Sequence, residues 1–293
     1  MFWYRLELSL GRNSLVGTTV RRADIPQDLL ADEHHQPLNG QMHYVATVVG
    51  GDCCLGAHPA TGASRQELIQ AYQSFKTETL DVHPQYAPKT VNTDGWKATQ
   101  AAWATLFPMI TIIQCFLHAW LAIRDRAKHL KSDFREIGDR VWDAYRAPNR
   151  RSFAQRLRRL RSWATQRFTG PVLEKIQKLC DKRSRWAVAY DEPCGYRTSN
   201  SLDRLMRAMN QYFDKGNHFH GSLEAATQHC RAWALLHNFA PWSPQARDSN
   251  DNYMCPAHRL NQFRYHESWL QNLLISASLG GYGPRNLPPQ NAV

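Results

Sequence analysis

The chain has 293 residues, 43% of them hydrophobic, with ten tryptophans and a formal net charge of +11. That is enough for one large or two smaller globular domains with a real apolar core. It holds no apolar run of the roughly 18 residues a membrane helix needs, since the longest, Met109 to Ile123, is broken by Thr111, Gln114, Cys115 and His118.

The N-terminal "MFWYRLELSLGRNSLVG" lacks the charged region and continuous apolar block of a signal peptide. Seven cysteines, an odd number without framework spacing, fit free thiols in a reducing compartment. The expected location is therefore cytoplasmic, with no membrane partner. Residues 121–190 hold 19 Lys/Arg against 7 Asp/Glu, while the remainder of the chain sums to −1. A basic block in a near-neutral chain is the footprint of a polyanion partner, most often nucleic acid, or else a solvated helical surface.

In chain order, residues 1–28 read as a weakly patterned lead-in. "DLLADEHH" reads as a short buried strand ending near Asp32. "HYVATVVGG" alternates and is β-branched, and "DCCLGAHPA" follows as its hairpin partner across Gly50 and Gly51. The three make an antiparallel meander. "SRQELIQAYQSFKTETL" predicts a helix capped by Ser64, with Glu67 completing a capping box and Leu68, Ala71, Tyr72 and Phe75 on one side. "PKTVNTD" returns to strand, "WKATQAAWATLF" to helix and "MITIIQC" to strand, and "FLHAWLAIRDRAKHL" begins a long helix. The order β-β-β-α-β-α-β-α predicts an α/β domain with a mixed sheet.

The basic window is helical by pattern. In "RSFAQRLRRLRSWATQRF", Phe153, Leu157, Leu160 and Ala164 step by four, three and four, leaving most arginines on other faces. Breaks fall at Pro148 and Gly170-Pro171. Beyond it come "GYRTSNSLDRLMRAMNQYF" and "SLEAATQHCRAWALLHNF", both helical, and "NQFRYHESWLQNLL", expected to pack Tyr265, Trp269 and Leu270 on the core. The tail from Gly280, rich in Gly, Pro and Asn, is expected to be flexible.

Three carboxylates occupy distinctive positions: Asp32 at the first strand, Asp94 at the end of the fourth, and Asp203 in the first turn of the helix after the basic window. Hard oxygen donors converging at a sheet edge suit Mg²⁺, and a pair of such ions can promote in-line displacement at phosphorus. On that reading Asp94 is a metal ligand, and Gly95 lets the chain turn sharply behind it. Each acid also has an ordinary structural role open to it: a polar loop for Asp32, a turn for Asp94 and a favourable helix start for Asp203. Cys115 and His118 fit a buried core pair equally well. With Cys255 and His258 they share a spacing that raises a zinc alternative.

The segments "LLADEHH", "VNTDGW", "CFLH" and "TSNSLDR" are arranged as in DDE transposases with a ribonuclease H-like core. The chain resembles the Mutator-like group and related bacterial insertion-sequence enzymes over roughly residues 29–275. The resemblance implies a ribonuclease H-like α/β core, residues 29–120 and 191–279, interrupted by an all-helical basic insertion, 121–190, between the lead-in 1–28 and the tail 280–293. It implies Mg²⁺ or Mn²⁺ held by Asp32, Asp94 and Asp203, a supporting role for Cys115 and His118, and DNA strand cleavage and transfer by a homo-oligomer on paired ends. Arg150, Arg151, Arg156, Arg158, Arg159 and Arg161 would contact phosphates without reading bases, and the protein would associate with the nucleoid.

Two departures stand out. The family's third acid is normally glutamate where this chain has Asp203, and residues 1–28 are too short for an end-recognition module. A truncated enzyme, a domesticated DNA-binding protein and a structure-selective nuclease on the same scaffold are the alternatives.

Overall fold

The computed structural model describes residues 2–215, 219 and 221–283. The stretch expected as a lead-in contains two helices, α1 (Phe2–Gly11) and α2 (Leu15–Thr19). Ser14 caps α2, its Oγ accepting from Gly17 N, and all five residues of the helix are buried. A helix this short, enclosed on every side, carries no amphipathic period by which to read it.

Three strands follow, β1 (Asp28–Leu38), β2 (Gln41–Gly50) and β3 (Cys53–Ala60), paired antiparallel as the meander predicts. Strand β1 is longer than expected. It does not end near Asp32 but runs six residues further, in unbroken register from Leu30↔Val49 to Leu38↔Gln41. The signal for the extension is Asn39-Gly40, both at positive φ, the residues that suit a two-residue hairpin turn. Gly51 and Asp52, also at positive φ, turn β2 into β3, and a bulge interrupts that pairing between Val48 and Val49.

Helix α3 (Arg65–Val82) begins with the expected capping box, Ser64 and Glu67 satisfying each other's backbone amides. Then come β4 (Thr90–Thr93), α4 (Lys97–Leu106) and β5 (Thr111–Gln114), with β4 and β5 parallel. The five strands form a mixed sheet in the order β3-β2-β1-β4-β5. The chain continues through α5 (Phe116–Ala127), α6 (Ser132–Tyr145), α7 (Arg150–Arg167), α8 (Pro171–Asp181) and α9 (Ser184–Ala187). It ends with α10 (Asn200–Lys215), α11 (Leu223–Phe239), α12 (Pro244–Asp248), α13 (Pro256–Asn261) and α14 (Trp269–Gly280). Helix α5 stops at Ala127, so the long helix expected from Phe116 is two, α5 and α6. The expected tail lies mostly outside the described residues. Among the described residues no helix is long and apolar enough to cross a membrane.

Two compact units emerge, one of Met1–Lys89, Lys97–Ile110 and Ser201–Val293, the other of Thr90–Trp96 and Thr111–Asn200. The first unit is built on the β1–β3 meander. Tyr72 and Phe75 of α3 meet Trp103 of α4, and Phe107 stacks on Trp103 with ring centroids 5.6 Å apart. Its core also encloses polar groups with their partners supplied. Arg231 of α11 donates to Gly11 O, Asn13 O and the Glu78 carboxylate, which also accepts from Ser14 Oγ and Val16 N. Asn238 bonds Thr19 Oγ1 and both backbone groups of Cys54. Paired in this way, buried polar atoms avoid the full desolvation cost. In α14 the buried side is Asn272, Leu273, Ser276 and Ala277, whereas Trp269 and Leu270, expected in the core, are exposed.

The second unit packs α5 to α9 around an apolar centre of Phe116, Ile123, Ile137, Val141, Phe153, Ile176 and Trp186. Helix α7 buries Phe153, Leu157, Leu160 and Ala164, the stripe read from the sequence. Each large member contributes about 1.5–3 kcal/mol by leaving water.

Candidate active site

Adjacent residues of β1 point to opposite faces of the strand. Glu33 turns inward, is 6% exposed, and accepts hydrogen bonds from Tyr72 Oη at 2.8 Å and from Thr99 Oγ1 at 2.8 Å to each carboxylate oxygen. Burial, with the Glu33 charge next, drives the Tyr72 phenol well above its ordinary pKa, so it stays a donor to that carboxylate. The sequence around Glu33 carries no sign of this role. Its partners lie 39 and 66 residues away, and nothing local announces them.

Asp32 faces the other way and is half-buried, with its Oδ1 accepting from Glu33 N at 2.8 Å. His34 and Gln36 share that face, joined by a 3.1 Å hydrogen bond. Burial pulls the His34 imidazole below its ordinary value, while hydrogen bonds to Gln36 and to Asn210 of α10, and the charge of Asp214, oppose the shift. Further along, Leu38 forms a parallel bridge with Phe219, just past the end of α10. His34 thus meets α10 at Asn210 and Asp214. Asp203, half-buried, lies seven residues before Asn210 on the same side of the helix, and Asp32 lies two residues before His34. As expected, Asp203 is in the first turn of α10.

In the second unit, Asp94 follows β4 and is half-buried, its Oδ1 accepting from Trp96 N at 2.6 Å. This Asx turn is the ordinary structural role, and it leaves the second carboxylate oxygen available. Gly95 sits at φ 101°, where a side chain is strained, and a Cβ there would collide with the Gln114 amide.

Cys115, the last residue before α5, is buried. Its Sγ lies 3.3 Å from Ser199 Oγ and accepts from Ser199 N at 3.3 Å. Burial works to raise this thiol's pKa, but hydrogen bonds from His118 and Ser199 and the His118 charge outweigh it and leave the thiol below its ordinary value. Cys115, His118 and Ser199 therefore form one polar cluster at the start of α5, which gives the pair a structural occupation.

Of the six arginines read as phosphate contacts, three are engaged within the unit. Arg150 pairs with Asp191, Arg156 with Asp143 and Arg161 with Asp181, each at 2.8 Å. Arg151, Arg158 and Arg159 are exposed and pair with no acid among the described residues. Arg151 and Arg158, seven apart on α7, share one side of it.

The donor types at Asp32, Asp94 and Asp203 suit a hard divalent cation. Among the described residues no group of three or more His, Cys, Asp or Glu side chains is gathered to hold a metal ion. Cys255 and His258, the second pair of the zinc alternative, are engaged locally. Cys255 caps α13 and accepts from His258 N, while His258 Nδ1 accepts from Met254 N. No protein-family model matches the chain, and no curated protein matches it either.

Proposed function

We propose that the chain is a DDE-type transposase on a ribonuclease H-like core, cutting DNA at an element's end and joining it to target DNA. The observation that supports this reading is the hydrogen bond of His34, on the Asp32 side of β1, to Asn210 of α10, the helix whose first turn contains Asp203. The sheet order β3-β2-β1-β4-β5, with Asp94 directly after β4, supports it. Asp32, Asp94 and Asp203 would hold Mg²⁺ or Mn²⁺, which supplies Lewis-acid activation of an attacking oxygen and charge neutralisation at the leaving one.

The chain's own residues then have separate tasks. Gly95 and the Asp94–Trp96 turn fix the direction of one carboxylate. The hydrogen bonds around His34 hold β1 against α10 and so set the approach of Asp203, which must be closer than that of the longer glutamate. Arg151, Arg158 and Arg159 bind DNA phosphates and position the duplex without reading its sequence. The enzyme acts as a dimer or larger assembly on paired ends.

The test is incubation with a DNA end and Mg²⁺ or Mn²⁺, comparing the native chain with Asp94→Asn and Asp203→Asn. Joined product, lost in both variants, is the expected result. Cleavage without joining would make the protein a nuclease. Binding that neither substitution alters, with no product, would make it a domesticated DNA-binding protein, a reading the short Asp203 side chain favours.

A further inference from the structure

On the flank of α10 away from Asp203, the first unit contains a cavity of about 490 Å³. Ser201, Arg204 and Leu205 of α10 line it, with Asp52 from the β2–β3 turn, His237 of α11, Trp242 and Arg259. The volume falls within the range that takes a small organic ligand.

Its chemistry narrows the class. Arg259 is already neutralised by Asp52 at 2.6 Å and also donates to Asn250. Arg204 is exposed and has no acid partner among the described residues, so the lining carries one uncompensated positive charge. His237 lies parallel to Trp233, with ring centroids 5.2 Å apart, and neither of its nitrogens has a hydrogen-bond partner among the described residues. Burial holds its pKa down at about 4, so at neutral pH it offers one N–H and one lone pair without charge. Trp242 is half-buried and adds a flat apolar face. One free cation is little for inorganic phosphate, and the unpaired polar atoms do not suit a purely apolar guest. An aromatic heterocycle carrying a single anionic group matches both halves.

We propose that this cavity binds a nucleoside monophosphate unit, its base against the Trp242 indole and the His237 ring edge, and its phosphate at Arg204. The unit can come free in solution or as one unpaired nucleotide of a DNA strand. The site stands independently of the carboxylates, because α10 separates it from the Asp203 face.

Calorimetric titration of the intact chain without metal, using deoxyadenosine monophosphate, deoxyadenosine and inorganic phosphate, tests the free source. Competition between a single-stranded hexamer and the same hexamer with one abasic position tests the strand. The expected result is at least about tenfold tighter binding of the nucleotide than of either fragment, or of the intact hexamer than of its abasic form. The first outcome assigns a free nucleotide and the second a strand. Arg204→Gln should remove the advantage of the phosphate, and Trp242→Ala that of the base. Trp242→Phe should retain most of it, which separates stacking from loss of fold. Asp203→Asn should change neither affinity. Equal binding of nucleotide and phosphate, together with equal binding of the two hexamers, would overturn the assignment without touching the strand-transfer reading. Base-dependent binding with no DNA product would do the reverse.

Discussion

In the first unit the carboxylates of Glu33 and Glu78 are 6% and 2% exposed, and each is held by several donors drawn from distant parts of the chain. In the second, Asp143, Asp181 and Asp191 lie at the surface, each meeting one arginine, while the core beneath is apolar. Charge is thus an internal fastening in one unit and an outer covering in the other. Buried charges cost several kcal/mol when one partner is taken away, whereas exposed pairs hold little energy.

The contrast is broken most severely at Arg231. Replacing it with methionine leaves the Glu78 carboxylate buried without its cation and frees the carbonyls of Gly11 and Asn13. A loss of about 3–5 kcal/mol in urea-induced unfolding is expected. Next comes Tyr72→Phe, which removes one hydrogen bond to the buried Glu33 carboxylate. It should cost about 1.5–3 kcal/mol in the same measurement. A negligible loss would mean that Glu33 is satisfied without the Tyr72 hydroxyl.

Acidification probes the same unit more gently. Burial lowers both His58 and His237 from 6.5 to about 4, with Arg231 adding to the shift at His58 and Asp52 opposing it at His237. Because the folded pKa is depressed, the unfolded chain binds more protons in this interval. The stability these histidines contribute is full above about pH 6.5 and is lost as pH falls toward 4. Thermal melts across that range should show the decline, and His58→Asn with His237→Asn should flatten it.

The smallest effects on stability belong to the second unit. Neutralising Arg151, Arg158 and Arg159 to glutamine should leave unfolding almost unchanged and reduce the salt dependence of DNA binding by about two to three ions. Neutralising Arg150, Arg156 and Arg161 should cost about 0–1 kcal/mol each. It should lower the salt slope less, since their charges already have acids opposite them. An equal effect of the two sets on binding would mean that DNA displaces the internal pairs.

Features whose cause is local were legible in the sequence. The Ser64–Glu67 capping box, the stripe Phe153-Leu157-Leu160-Ala164 and the alternation of strands and helices through α5 all appear where the residues imply. Strand β1 was read too short because His34, His35 and Gln36 look like loop residues, although His34 and Gln36 are buried and Asn39-Gly40 marks the true turn. Helix α1 is anchored through Arg231, more than 200 residues away, and has no signature of its own. At the candidate site the acids' elements could be named, but not the network around Glu33 and His34, because its members come together only when α3, α4 and α10 have packed. Which arginines are paired was equally hidden, since their acids lie on other segments of the chain.

The neighbouring carboxylates of Asp32 and Glu33 differ in fate solely because a strand alternates its sides. Sliding β1 by one position against β2 would exchange them, turning the hydroxyl-bound acid toward α10 and sinking the other beneath α3. Confining the bulge to the β2–β3 border, and leaving the β1–β2 ladder regular, therefore selects which acid reaches the outside. Which acid is enclosed is here a matter of strand alignment before it is one of side-chain chemistry.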